Sequence, residues 1–180
     1  MPILKKHERY WGQVAIYGDY KPYNAHLAQG GDYMNYPAHS GRILDLKDDK
    51  AGAPRHFADM IEPELSDDIV IVTIPSHDPA KAPGGLQKLA ALLAEKGNRV
   101  DGSGCLVRTK KHDKLAHGGD RSKDSHLKSM EVKNAHLIKG KNVLLLDDVA
   151  TSGNSLEAGA ELLSKAGARF VRRAAIGKTT

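Results

Sequence analysis

Two apolar runs constrain what this chain can fold into more than any other feature. In DDIVIVTIPS the segment from Ile69 to Thr73 is a continuous β-branched run closed by Pro75, and in KNVLLLDDV the four residues Val143 to Leu146 are uninterrupted aliphatics. A strand with one wet face alternates polar and apolar residues; a strand buried on both faces reads as a continuous run, the pattern of a parallel sheet covered by helices on each side. A helical period follows each run. GGLQKLAALLAEKG places Leu86, Leu89, Leu92 and Leu93 on one face with Gly97 as a stop, and SLEAGAELLSKAG is a second helix ended by Gly167. GCLVRT and ARFVRRAAIG supply further strands. Strands alternating with helices predict an α/β fold with a central parallel sheet, flanking helices and right-handed crossovers.

The first third carries less signal. VAIYG (Val14 to Gly18) and RILDL (Arg42 to Leu46) read as short strands, separated by the Tyr- and Gly-rich YKPYNAHLAQGGDYMNYP, which has no clear period. RHFADMIEPEL reads as a short helix whose last turn Pro63 interrupts. A length of 180 residues suits one core rather than two. The expectation is a single domain over 1–180, in which 68–180 forms the core and 1–67 a variable region.

Hydrophobic residues at 40% and charged residues at 27% exclude a disordered chain. No apolar run approaches the roughly 18 residues that span a bilayer. MPILKKHERYWGQ has no long apolar stretch after its basic residues and reads as mature protein, so a cytoplasmic location without membrane contact is expected. The single cysteine, Cys105, leaves no internal disulfide framework and no multi-cysteine zinc site, and it reads as a buried small residue. His112, His117, His126 and His136 contain no i, i+4 pair of the kind that binds zinc on a helix, so no metal ligand is assigned to a protein side chain.

The net charge of +5 is concentrated. Between Arg108 and Lys141 ten Lys/Arg face four Asp/Glu, and the rest of the chain has one acid in excess. A local basic segment of this kind suits an anionic partner.

The chemistry gathers in VLLLDDVATSGNS, Val143 to Ser155. In an open parallel sheet, ligands bind beyond the carboxyl ends of the strands, where Asp147 and Asp148 fall. Two adjacent carboxylates repel and need a cation or hydroxyl donors as partners. The following Thr151-Ser152-Gly153-Asn154-Ser155 opens a helix, whose unpaired N–H groups and positive dipole end suit a phosphate. Ordinary N-capping accounts for small polar residues before a helix, but not for the acid pair beside them. Two acids and an anion cradle fit a phosphorylated sugar.

This joint pattern resembles the 5-phosphoribosyl 1-pyrophosphate (PRPP) motif of the type I phosphoribosyltransferases. The resemblance implies that Asp147 and Asp148 engage the ribose hydroxyls and that Ala150, Thr151, Ser152, Gly153, Asn154 and Ser155 wrap the 5′-phosphate. IVTIPSHDPAK is similar to the family's second strand and its pyrophosphate loop, implying that role for Ser76, His77 and Asp78 with Lys81 nearby. The basic stretch from Arg108 to Lys139 takes the place of the flexible catalytic loop, with Arg108, Arg121 and Lys128 as candidates to neutralise the leaving group. RSKDSHLKSMEV followed by GKNVLLLDDVATSGNSL is similar in layout to the ComF group. The fold implied is the type I phosphoribosyltransferase fold with an N-terminal hood over 1–67.

By that resemblance the chain is a Mg²⁺-dependent phosphoribosyltransferase acting on PRPP and an acceptor base or amine, with Mg²⁺ arriving on PRPP and a homodimer as the assembly. Hypoxanthine- and guanine-type members carry an Asp where this chain has Thr151, whereas orotate-type and ComF-like members commonly have a hydroxyl residue there. ComF proteins often carry an N-terminal four-cysteine zinc element, which one cysteine cannot form. Two rival readings stay open: a PRPP- or nucleotide-sensing regulator with a protein partner, and nucleic-acid binding through the basic segment. The latter lacks aromatic residues for base stacking.

Overall fold

The computed structural model describes residues 2–110 and 122–180. Among these residues the central sheet has seven strands. The two apolar runs form β4 (Ile69–Thr73) and β8 (Asn142–Ala150). They pair in parallel from Ile69↔Asn142 to Thr73↔Leu146, and every residue of β4 is buried. On the far side of β8 lies β9 (Phe170–Thr179), also parallel. Beyond β9 come β2 (Val14–Ile16) in parallel and β1 (Tyr10–Trp11) as an antiparallel edge. The short β3 (Asp19–Tyr20) pairs the end of β9, and β5 (Val100–Asp101) completes the other edge beside β4.

Period-two alternation along β8 divides the core. Leu144 and Leu146 face a cluster built with Ile43, Leu46, Phe57, Ile61, Leu89 and Leu93. These come from α2 (Ala38–Lys47), α3 (Ala53–Ile61) and α4 (Gly85–Ala94). Val143 and Leu145 face the opposite cluster, with Leu156, Ala158 and Leu163 of α6 (Asn154–Lys165). Both faces of the sheet are therefore dry, which is why its central strands carry no polar alternation. A short α1 (Tyr23–Ala28) precedes α2.

Three expectations change. RILDL is the second half of α2, not a strand: Ile43 and Leu46 are both fully buried, a spacing of three that a five-residue window cannot distinguish from alternation. GCLVRT does not join the parallel sheet. Its strand β6 (Leu106–Arg108) pairs antiparallel with β7 (Met130–Val132) in a separate two-stranded sheet, and the place next to β4 is taken by the two-residue β5, whose exposed residues gave no apolar signal. The basic stretch read as one flexible loop is also partly regular, since α5 (Lys123–Ser129) and β7 lie inside it. Arg121, one of its three candidate side chains, lies outside the described residues.

Candidate functional site

The carboxyl ends of β4, β8 and β9 open onto a cleft of about 870 Å³. Asp147 and Asp148 follow Leu146 in β8, so alternation sends them to opposite faces of the sheet. Asp147 turns toward α6, where Ser155 Oγ donates to its Oδ2 at 3.1 Å and the Asp148 backbone N–H donates to its Oδ1 at 2.9 Å. Asp148 turns toward α2, where Lys47 Nζ stands 3.3 Å from its Oδ1. Each acid thus has its own partner, supplied by a different helix. Burial pushes the Asp147 carboxyl up to about 7, and repulsion from Asp148 adds to the rise; Lys47 and the two hydrogen bonds oppose it.

The turn after β8 is shaped by Gly153, whose φ of +79° lies in the left-handed region that glycine enters without strain. It sets the first turn of α6 at the cleft, with Thr151, Ser152, Gly153 and Ser155 along the wall. Thr151 Oγ1 and Thr179 Oγ1 share a hydrogen bond of 2.8 Å, which ties the turn to the end of β9. Opposite, Ser76, His77, Asp78 and Lys81 line the loop after β4. That loop folds on itself: the Asp78 N–H donates to Ser76 Oγ at 3.3 Å and the Ala80 N–H to Asp78 Oδ1 at 2.9 Å.

Arg108 ends β6 and is 8% exposed. Its Nε donates to the Ser76 carbonyl at 3.2 Å, its Nη1 to Ser129 Oγ at 2.8 Å, and Nη1 also stands 3.5 Å from His126 Nδ1. Burial lowers its pKa, which the Asp147 charge partly restores. The guanidinium therefore braces the Ser76 loop against α5 while facing the cleft.

Not every candidate lines the cleft. Ala150 is buried within β8, Asn154 begins α6 behind the turn, and Lys128 is exposed on α5; none of the three is part of the wall. Conversely, Tyr20, Lys47, Ser103, His126 and Thr179 line the cleft without having been singled out as site residues. Lys47 follows directly on RILDL, and no local motif marks a lone lysine. His126 carries no sequence signal beyond that of a lone histidine in a basic segment. Among the described residues no group of three or more His, Cys, Asp or Glu side chains is placed to hold a metal. The two carboxylates are hard oxygen donors of the sort that suit a cation shared with substrate phosphates.

The family model described as the phosphoribosyl transferase domain matches residues 82–177, more than half of the chain. The chain belongs to that family. The type I phosphoribosyltransferase fold accounts for a mostly parallel sheet between two helical layers, with its cleft at the carboxyl ends of the strands. A crystal structure of purine phosphoribosyltransferase from Pyrococcus horikoshii is similar over 78% of this chain and 79% of that one, at 17% identity and a TM-score of 0.34. No curated protein matches the sequence.

Proposed function

We propose that this phosphoribosyltransferase-family chain binds PRPP with Mg²⁺ and transfers the phosphoribosyl group to a nitrogen nucleophile, releasing pyrophosphate. The observation that carries the reading is the convergence in one cleft of the acid pair, the Thr151–Ser155 turn and the Ser76–Asp78 loop. Asp147 and Asp148 accept hydrogen bonds from the ribose hydroxyls. The turn and the first N–H groups of α6 take the 5′-phosphate. The loop after β4, braced by Arg108, holds the pyrophosphate. In the reaction the bond from the anomeric carbon to pyrophosphate oxygen breaks as the carbon–nitrogen bond forms, and the nucleophile's proton is released to solvent. Positioning and fixed charge then supply most of the rate. Mg²⁺ would be held mainly by the substrate's own oxygens, with Asp147 and Asp148 alongside, and would neutralise phosphate charge.

Thr151 favours a second reading. Its hydroxyl is engaged with Thr179 and offers no carboxylate to move a proton at a purine, which suits a PRPP sensor that binds without transfer. A homodimer in the cytoplasm goes with either reading; no helix among the described residues is long and apolar enough to cross a membrane. The ComF-like layout and an affinity of the basic segment for nucleic acid stay proposals of lower rank, the latter tested by a steep loss of binding with salt.

The deciding experiment is calorimetric titration of PRPP with Mg²⁺ into wild type and the Asp147→Ala, Asp148→Ala double variant, with released pyrophosphate assayed in the presence of bases and amines. Binding lost in the double variant, with acceptor-dependent pyrophosphate release, is expected. Binding without release for every acceptor selects the sensor. Absence of binding in folded wild type overturns both readings.

A further inference from the structure

The chain's single tryptophan is not in the motif, yet it touches it. Trp11 sits in β1, placed by its pairing with Val14 across the Gly12 turn. Its indole packs against Gly153: a Cβ added there would lie 3.0 Å from Cζ3 and 3.3 Å from Cη2. The same indole carries a cation. Lys178 Nζ stands 4.5 Å from the ring centroid and donates to the Thr179 carbonyl at 2.8 Å. Lys178 lies opposite Ala150 in the β8–β9 register, one residue before the turn begins. Thr179, next in β9, holds Thr151.

The turn itself, Thr151 to Ser155, contains no lysine or arginine. An anion in it would meet N–H groups and hydroxyls but no formal positive charge from its own segment. Trp11 and Lys178 supply what is missing from two other strands. The indole is a rigid plate against Gly153, whose carbonyl accepts from the Glu157 N–H at 2.9 Å, and its electron-rich face holds the Lys178 ammonium.

We propose that Trp11 and Lys178 form the outer wall of the phosphate turn, with Trp11 as a positioning residue that fixes Gly153 and steers Lys178, and Lys178 as the cation that offsets the charge of the bound phosphate. This rests on the proposed function, since it assigns the turn to a phosphate. It gives the N-terminal edge of the sheet a part in substrate binding. It also makes the lone tryptophan an optical reporter of the site.

The test titrates PRPP with Mg²⁺ into wild type while following tryptophan emission, and repeats the titration by calorimetry on Trp11→Phe, Trp11→Ala and Lys178→Gln, each checked for a cooperative thermal transition. Emission should change and saturate with the calorimetric affinity. Trp11→Ala and Lys178→Gln should each weaken PRPP by about tenfold, and Trp11→Phe should recover most of the loss. A wall that serves stability alone would lower the melting temperature and leave affinity untouched. Calorimetric binding in wild type together with unchanged emission, or with wild-type affinity in Trp11→Ala and Lys178→Gln, overturns this inference and leaves the proposed function standing. Should Trp11→Ala not fold, the wild-type emission and Lys178→Gln decide by the same criteria. No binding in wild type overturns both.

Discussion

At the scale of single residues, the acid pair shows how one backbone period assigns different environments to identical side chains. Asp147, sent to the α6 side, is buried, while the side chain of Asp148, sent to the α2 side, is 28% exposed and paired with Lys47. The carboxyl of Asp147 is raised from 3.8 to about 7, so the native state holds its proton more tightly than the unfolded chain does. By linkage its contribution to stability is most favourable below pH 3.8, falls as the pH rises toward about 7, and is constant beyond. Asp147→Asn should therefore be more stable than wild type at pH 8, by on the order of 1 to 4 kcal/mol, with little gain at pH 4. Chemical denaturation at both pH values checks this, and the same variant should bind PRPP poorly. Asp148→Asn should leave stability within about 1 kcal/mol, because a half-exposed ion pair contributes little, yet reduce PRPP binding in calorimetry. A larger stability loss in Asp148→Asn than in Asp147→Asn at neutral pH would contradict this division of environments.

At the scale of elements, the turn and a buried arginine make separable demands. Gly153→Ala would force a side chain to φ +79° and against Trp11 at 3.0 Å. The expected cost is about 1 to 2 kcal/mol, read by thermal melting, together with loss of PRPP affinity. Arg99 has no part in the cleft. Its side chain is 3% exposed and donates to the carbonyls of Ser66 at 2.9 Å, Leu93 at 3.2 Å and Leu65 at 3.3 Å. It fastens the end of α4 to the segment before β4. Arg99→Met should lower stability by about 3 kcal/mol in denaturant titration and leave PRPP affinity unaltered in the folded protein. Legibility at this scale followed segment length. The continuous runs of β4 and β8, the Leu-rich face of α4 and the Gly167 stop were readable because each repeats its signal over several residues. RILDL was misread and β5 missed because five and two residues do not carry a period, and their states are imposed by what they pack against.

At the scale of the whole molecule, the first 67 residues are built into the same core as the rest. Ile3, Leu4, Phe57, Ile61 and Leu65 share a cluster with Ile71, Leu89, Leu144, Leu146 and Ile176. We expect a fragment of 68–180 to expose one face of the sheet and to aggregate or remain unfolded, measured by circular dichroism and size-exclusion chromatography; a folded, monomeric fragment would show instead that the N-terminal part is an independent unit. The sequence by itself determined the central strands β4, β8 and β9, their two-sided burial and the strand-to-helix motif, since these depend on hydrophobic period and local backbone chemistry within a dozen residues. Tertiary structure alone decided that Lys47 would meet Asp148, that Arg108 would brace the Ser76 loop, and that Trp11 would stand against Gly153 with Lys178 over its ring. Those contacts join residues far apart in the chain, and their geometry follows from how layers pack, which no local pattern encodes.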